Sequence, residues 1–133
     1  MTIGRILLAA VATLSISMGA AQAEQIFSPA GTWVTNGGES KYAIELCGKR
    51  GDSICAKLVW ADNSDLGNRL KTYIGKDAMI ELARTGNQRW YGKVDLAGNV
   101  ARGTLDLTDE NNIHIKACNG AACQTVELIR VKK

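Results

Sequence analysis

Histidine is almost missing from this chain of 133 residues: His114 is its only imidazole. A Ser–His–Asp or Cys–His catalytic constellation therefore has a single possible base, and zinc sites built from Cys/His pairs lack their partners. Proline occurs once, at Pro29, and phenylalanine once, at Phe27, so a proline-rich linker or recognition tract is excluded. Aromatic residues make up only 5% of the chain, and any core must be built mainly from aliphatic side chains. No block of like charges occurs. The basic and acidic residues are interspersed, which argues against a nucleic-acid partner.

One long apolar run is present, and it lies at the start. Met1 to Arg5 carries a single positive charge, Ile6 to Ala20 is apolar, and Ala21-Gln22-Ala23 precedes Glu24. That order is a secretory signal peptide over residues 1–23, cleaved after Ala23. The run falls short of the ~20 apolar residues that a membrane span needs. The mature chain, residues 24–133, is expected to be a single domain, monomeric and without a membrane span. Losing Arg5 takes the 16 basic residues to 15 against 13 acidic ones, a net charge of +2.

Four cysteines follow the leader, Cys47, Cys55, Cys118 and Cys123. An even number in an exported chain points to disulfides. Spacing alone does not choose the pairs, but side-chain parity does. Residues 41–47 and 53–60 both alternate, and setting Cys47 opposite Cys55 brings Leu46 to Ala56, Ile44 to Leu58, Tyr42 to Trp60 and Glu45 to Lys57. Setting Cys118 opposite Cys123 brings Ile115 to Val126, Ile113 to Leu128 and His114 to Glu127. A slip of one residue would send each greasy set to solvent. Two disulfide-closed hairpins are expected, Cys47–Cys55 and Cys118–Cys123, with both bridges on the polar face. Each closes a short loop and is expected to contribute at most ~2–3 kcal/mol.

Between them, residues 88–96 and 99–107 alternate around Ala97-Gly98. A two-residue turn there pairs Val94 with Ala101, Gly92 with Gly103 and Trp90 with Leu105. Residues 61–76 break the pattern. Leu66, Leu70 and Ile74 recur at helical spacing, with Ser64 at the start and Gly75 at the end, so a short helix or lid is expected near 64–75. Residues 76–85 are ambiguous, with a strand favoured around Met79 to Leu82.

The sum is an all-β, up-and-down antiparallel barrel of about eight strands, since a meander of this length hides its edges best by closing on itself. Closure requires the Gly31-Thr32-Trp33-Val34 strand to meet the last one. There Arg130 falls on the inward face and is expected to lie against the Trp33 ring.

Gly31-x-Trp33 with Arg130 near the end resembles the lipocalin signature. A wider set is more specific: Ile54-Cys55-Ala-Lys-Leu-Val-Trp60, Asp62-Asn63-Ser-Asp65 with Asn68-Arg69, Trp90-Tyr-Gly92-Lys-Val, Gly98, and the Cys118…Cys123 hairpin. It resembles a family of small exported bacterial proteins, the domain of unknown function 2147. The resemblance spans nearly all of residues 30–131. It implies a lipocalin-like barrel in the periplasm or envelope, and no activity. Ala56 stands where that family commonly has Gly, and Ser64 where it often has Pro.

A catalytic role is not expected, and neither is a metal or cofactor. Asp62, Asp65 and Glu81 are candidates for a carboxylate site, but the Asp62-Asn63-Ser64-Asp65 run does not match a calcium loop, because Leu66 falls where an oxygen ligand is needed, and loop capping is the favoured role. An enzyme acting through the Asp62–Arg69 segment is the least favoured reading. The aromatics Tyr42, Trp60 and Trp90 are expected to face inward and either pack or line a pocket. The function expected is binding of a small apolar or amphipathic ligand beneath a lid containing Asp62, Asn63, Asp65 and Arg69. The alternative is a protein-interaction module, such as an inhibitor of an exported protease or an envelope assembly factor.

Overall fold

A computed structural model describes residues 26–132, together with residues 4, 12 and 13. The expected leader and cleavage point lie outside the described residues apart from those isolated positions. Eight strands run as an antiparallel meander: β1 (Gly31–Thr35), β2 (Ser40–Cys47), β3 (Ser53–Ala61), β4 (Asp77–Gly86), β5 (Arg89–Leu96), β6 (Asn99–Asp109), β7 (Asn112–Asn119) and β8 (Ala122–Arg130). Each pairs with the next, and β8 returns to β1, so the barrel is closed. Helix α1 (Asp65–Leu70) and a single tight turn at Lys71–Tyr73 interrupt the meander between β3 and β4.

Parity predicted the later hairpins residue for residue. Val94 lies opposite Ala101, Gly92 opposite Gly103 and Trp90 opposite Leu105. Ile113 lies opposite Leu128, His114 opposite Glu127 and Cys118 opposite Cys123. The β2–β3 hairpin differs from expectation. Cys47 faces Ser53 and Glu45 faces Cys55, so the register is displaced by two residues and the disulfide runs diagonally. A displacement of two preserves which side faces inward, so Ile44 still meets an apolar partner, Ala56. Both disulfides form as paired, Cys47–Cys55 and Cys118–Cys123.

Two bulges then change the parity. In β3, Lys41 pairs with Trp60 and Tyr42 with Leu58, leaving Val59 as the extra residue. The strand crosses over at that point, which turns Trp60 outward and Ala61 inward. In β4 a register shift lies between Met79 and Ala83, with Glu81 at φ 46°. Met79 and Leu82 are three positions apart yet both buried, because the bulge absorbs one residue. This is why the 76–85 run reads ambiguously by alternation.

The interior is filled. Trp33, Ile54, Leu82, Val94, Leu105, Ile113, Ile115 and Leu128 are essentially inaccessible to solvent. The closing seam is the one expected: Trp33 lies opposite Arg130, and the guanidinium stands 4.4 Å from the ring centroid. Each of its three nitrogens also donates to a backbone carbonyl. Nε donates to the Glu110 carbonyl at 2.8 Å, Nη1 to Ala30 at 2.7 Å and Nη2 to Ser28 at 2.7 Å. Gly31 makes this possible. Its φ is +146°, and a Cβ there would stand 2.7 Å from Arg130 Nη1.

Candidate functional site

The strands position two unlike barrel ends. One end carries the 48–52 loop and the 87–88 and 110–111 turns, and residues 26–30 are folded across it. Phe27 N–H donates to Gln88 Oε1 at 2.9 Å, and Gln88 Nε2 donates back to the Phe27 carbonyl at 3.2 Å. Trp33 Nε1 donates to the Pro29 carbonyl at 2.9 Å, and Pro29 is buried. Trp90 sits here as well, 3% exposed, with its indole N–H on the Asp52 carbonyl at 2.8 Å.

The other end is covered by residues 61–76 and is not fully packed. A cavity of about 180 Å³ remains, lined by Tyr42, Leu58, Leu70, Tyr73, Lys76 and Asp77, with Ala78, Asp95 and Ala97 completing it. Its floor is apolar and its rim carries both charge signs. Tyr42 faces into the barrel mouth. Burial pushes its phenol above the ordinary tyrosine value, and a hydrogen bond with the Ser40 side chain opposes that shift. The phenol is thus held neutral and serves as a hydrogen-bonding group. Lys76 Nζ lies 5.4 Å from the Tyr73 ring centroid, which places the ammonium at the rim.

The covering segment is built by local capping. Ser64 caps α1, its hydroxyl accepting from Gly67 N–H at 3.0 Å. Asp62 Oδ1 accepts from Ser64 N–H at 3.0 Å and from the Ser64 hydroxyl. Asn63 accepts from Lys71 through its side chain and from Asn68 Nδ2 through its carbonyl, the latter at 3.1 Å. Asp62 and Asn63 therefore shape the loop. Asp65 and Arg69 are exposed on the helix, and neither lines the cavity. The helix is shorter than its periodicity predicts. Only Leu70 of the expected apolar face is buried, while Leu66 and Ile74 are each 43% exposed.

Of the three aromatics expected to line a pocket, the structure brings Tyr42 alone to the cavity. Trp90 belongs to the opposite, packed end. Trp60 is 41% exposed on the outer wall, with Lys41 Nζ 4.8 Å from its ring centroid. Its inward placement is corrected by the Val59 bulge. Tyr73 and Lys76 were not found by alternation because they lie where the chain has no period. Ala97-Gly98, singled out as a turn, delivers Ala97 to the cavity. Among the described residues, no group of three metal-ligating side chains gathers, and no helix is long and apolar enough to cross a membrane.

No protein-family model, no curated protein and no solved structure matches this chain.

Proposed function

We propose that this protein is an exported, non-catalytic binding protein that seats one small amphipathic ligand at the barrel end under residues 61–76. The observation that carries this is the cavity itself, the space that remains beneath the covering segment in a barrel otherwise filled. At about 180 Å³ it is below the ~300–1,000 Å³ of drug-sized pockets and matches the liquid volume of about six waters. The ligand is accordingly small, with an apolar body against Leu58 and Leu70 and a polar group toward Tyr42, Lys76 or Asp77. Export to the periplasm, with cleavage after Ala23, is supported by the order of the leader and by the two disulfides. Kinship with the domain of unknown function 2147 rests on the motif set. A non-catalytic role is supported by His114, which stands on the outer wall between Asp106 and Glu127, away from the cavity.

Native mass spectrometry of protein purified from its own periplasm tests the reading. Wild type should carry a small bound mass, and Leu70→Phe, which fills the cavity, should lose it with an unchanged far-ultraviolet spectrum. A ligand-free wild type, together with identical dye binding by both proteins, would sink it. The second reading is an interaction module for an envelope protein. It is favoured by adjacent exposed Val59 and Trp60 on the outer wall, and it expects Trp60→Ala to abolish capture of a periplasmic partner.

A further inference from the structure

The outer wall of β5, β6 and β7 carries two rows of side chains with opposite electrostatic design, separated by the Tyr91–Thr104–Lys116 row. In the first row Arg89 faces Asp106, Asp106 faces His114 and His114 faces Glu127. Arg89 Nε and Asp106 Oδ1 are 2.6 Å apart. No two like charges lie directly opposite each other in this row, as suits cross-strand neighbours. In the second row Lys93 lies directly opposite Arg102. Lys116, opposite Thr104, sits in the row between, one pair from Arg102 on one side and from Asp106 on the other. Like charges placed opposite each other on a sheet are destabilising. None of these three cations makes an ion pair or hydrogen bond among the described residues.

Neither Arg102 nor Lys116 has a carboxylate directly opposite it, although Asp106 and Glu127 lie one pair from Lys116. The surface is a broad groove of about 750 Å³ lined by Tyr91, Lys93, Val100, Arg102, Thr104 and Lys116, with Asn119 at one end, and no acidic residue takes part. Asp95 follows Lys93 on the same face of β5, but its carboxylate accepts from Gly98 N–H at 2.8 Å and belongs to the barrel mouth. Glu81, in the β4 bulge across from residues 91–94, makes no ion pair among the described residues. On β8 the neighbour of Lys116 is the neutral Thr125. The net charge is small, so this is a local concentration of positive charge and not a property of the whole surface.

We propose that this groove is a second binding site, distinct from the cavity, and that it takes an acidic polysaccharide. Three features select that occupant. The cations, spaced ~5–10 Å apart across three strands, suit carboxylates recurring along a chain. Tyr91, 42% exposed, offers a ring face to the C–H face of a sugar. Thr104 and Asn119 supply neutral hydrogen-bonding groups for hydroxyls. A peptide strand would need a free sheet edge, and the closed barrel has none. A peptide helix would need several apolar anchors, whereas the groove offers only Val100 and the tyrosine ring as large apolar surface.

The mature full-length protein should bind polygalacturonate in a salt-dependent manner, since exposed charges are screened, and should not bind dextran. The triple variant Lys93→Gln/Arg102→Gln/Lys116→Gln should lose about tenfold or more in affinity, and Tyr91→Ala should weaken binding at every salt concentration. Lys57→Gln, on the far wall, should bind as wild type. Because Lys93 and Arg102 face each other as like charges, Lys93→Gln/Arg102→Gln, which keeps Lys116, should also bind more weakly yet unfold at a temperature no lower than wild type, which separates lost binding from lost fold. Leu70→Phe should leave polygalacturonate binding intact, so the fate of the cavity does not decide this site. Equal binding to dextran, an unchanged triple variant, or preference for polyglutamate or anionic vesicles over polygalacturonate would each overturn the proposal.

Discussion

The two ends of the barrel are made from the same kinds of strand, yet they finish differently. At one, residues 26–30 cross the opening and reciprocal hydrogen bonds tie Phe27 to Gln88, so that Trp33 and Trp90 are sealed in. At the other, a longer segment spends most of its polar side chains on its own loop and sends Leu70, Tyr73 and Lys76 to the cavity. What distinguishes them is where the hydrogen bonds go. The cork is bonded to the wall by side chains, whereas the lid is bonded mostly to itself, with Gly75 N–H to the Leu58 carbonyl at 2.7 Å among its few links to the wall. A cover that is satisfied internally can leave space beneath it, because its polar groups do not require close contact with the strands.

Replacing the same residue type in the two environments gives the largest effect. Leu82→Ala, in the closed interior, should destabilise by about 4 kcal/mol, and Leu70→Ala, beside existing space, by about 2 kcal/mol. Urea denaturation of both variants checks this, and equal losses would erase the difference between the ends. A smaller effect is expected at the lid's neighbour. Ala97 has φ 55° and Gly98 φ 85°, a turn that asks for Asn-Gly. Ala97→Asn should stabilise by about 1 kcal/mol in thermal unfolding, and a loss would show that packing over the cavity outweighs backbone strain.

The smallest effect belongs to the corked end. Asp109 is held below its ordinary value by hydrogen bonds from the Asn112 side chain and the Asn111 N–H. A depressed carboxylate contributes stability that is complete above its unfolded-state pKa and is lost as pH falls through the folded one. Asp109→Asn should therefore lower stability at neutral pH and flatten the acid limb below about pH 4, read by denaturation at a series of pH values. An unchanged acid limb would remove Asp109 from the account.

Strand identity, closure, the seam and both disulfides could be read from residues because alternation is a local property that survives a register shift of two. The shift in β2–β3 shows the limit: apolar against apolar is satisfied equally well by Leu46 over Ala56 or over Ile54. Bulges are harder, since an extra residue inverts every later side chain. Counting from Ile54 places Trp60 inside, and the Val59 bulge turns it outside. The cavity was legible only in part. Alternation places Tyr42 because that residue lies on the regular side of the bulge, whereas Tyr73 and Lys76 lie in a segment without periodicity, where only tertiary contact fixes direction.

The seam has a kinetic corollary. Arg130 reaches back across 100 positions to the Ala30 carbonyl, so the contact that shuts the cylinder joins the beginning of the described chain to its end. Hairpins between successive strands form from near neighbours, but this last pairing must wait for the most distant encounter, and folds dominated by such encounters assemble slowly. Until Arg130 has been delivered, β1 lacks its second neighbour and offers an open edge. A chain halted before its final few residues would therefore be an unshut sheet prone to self-association.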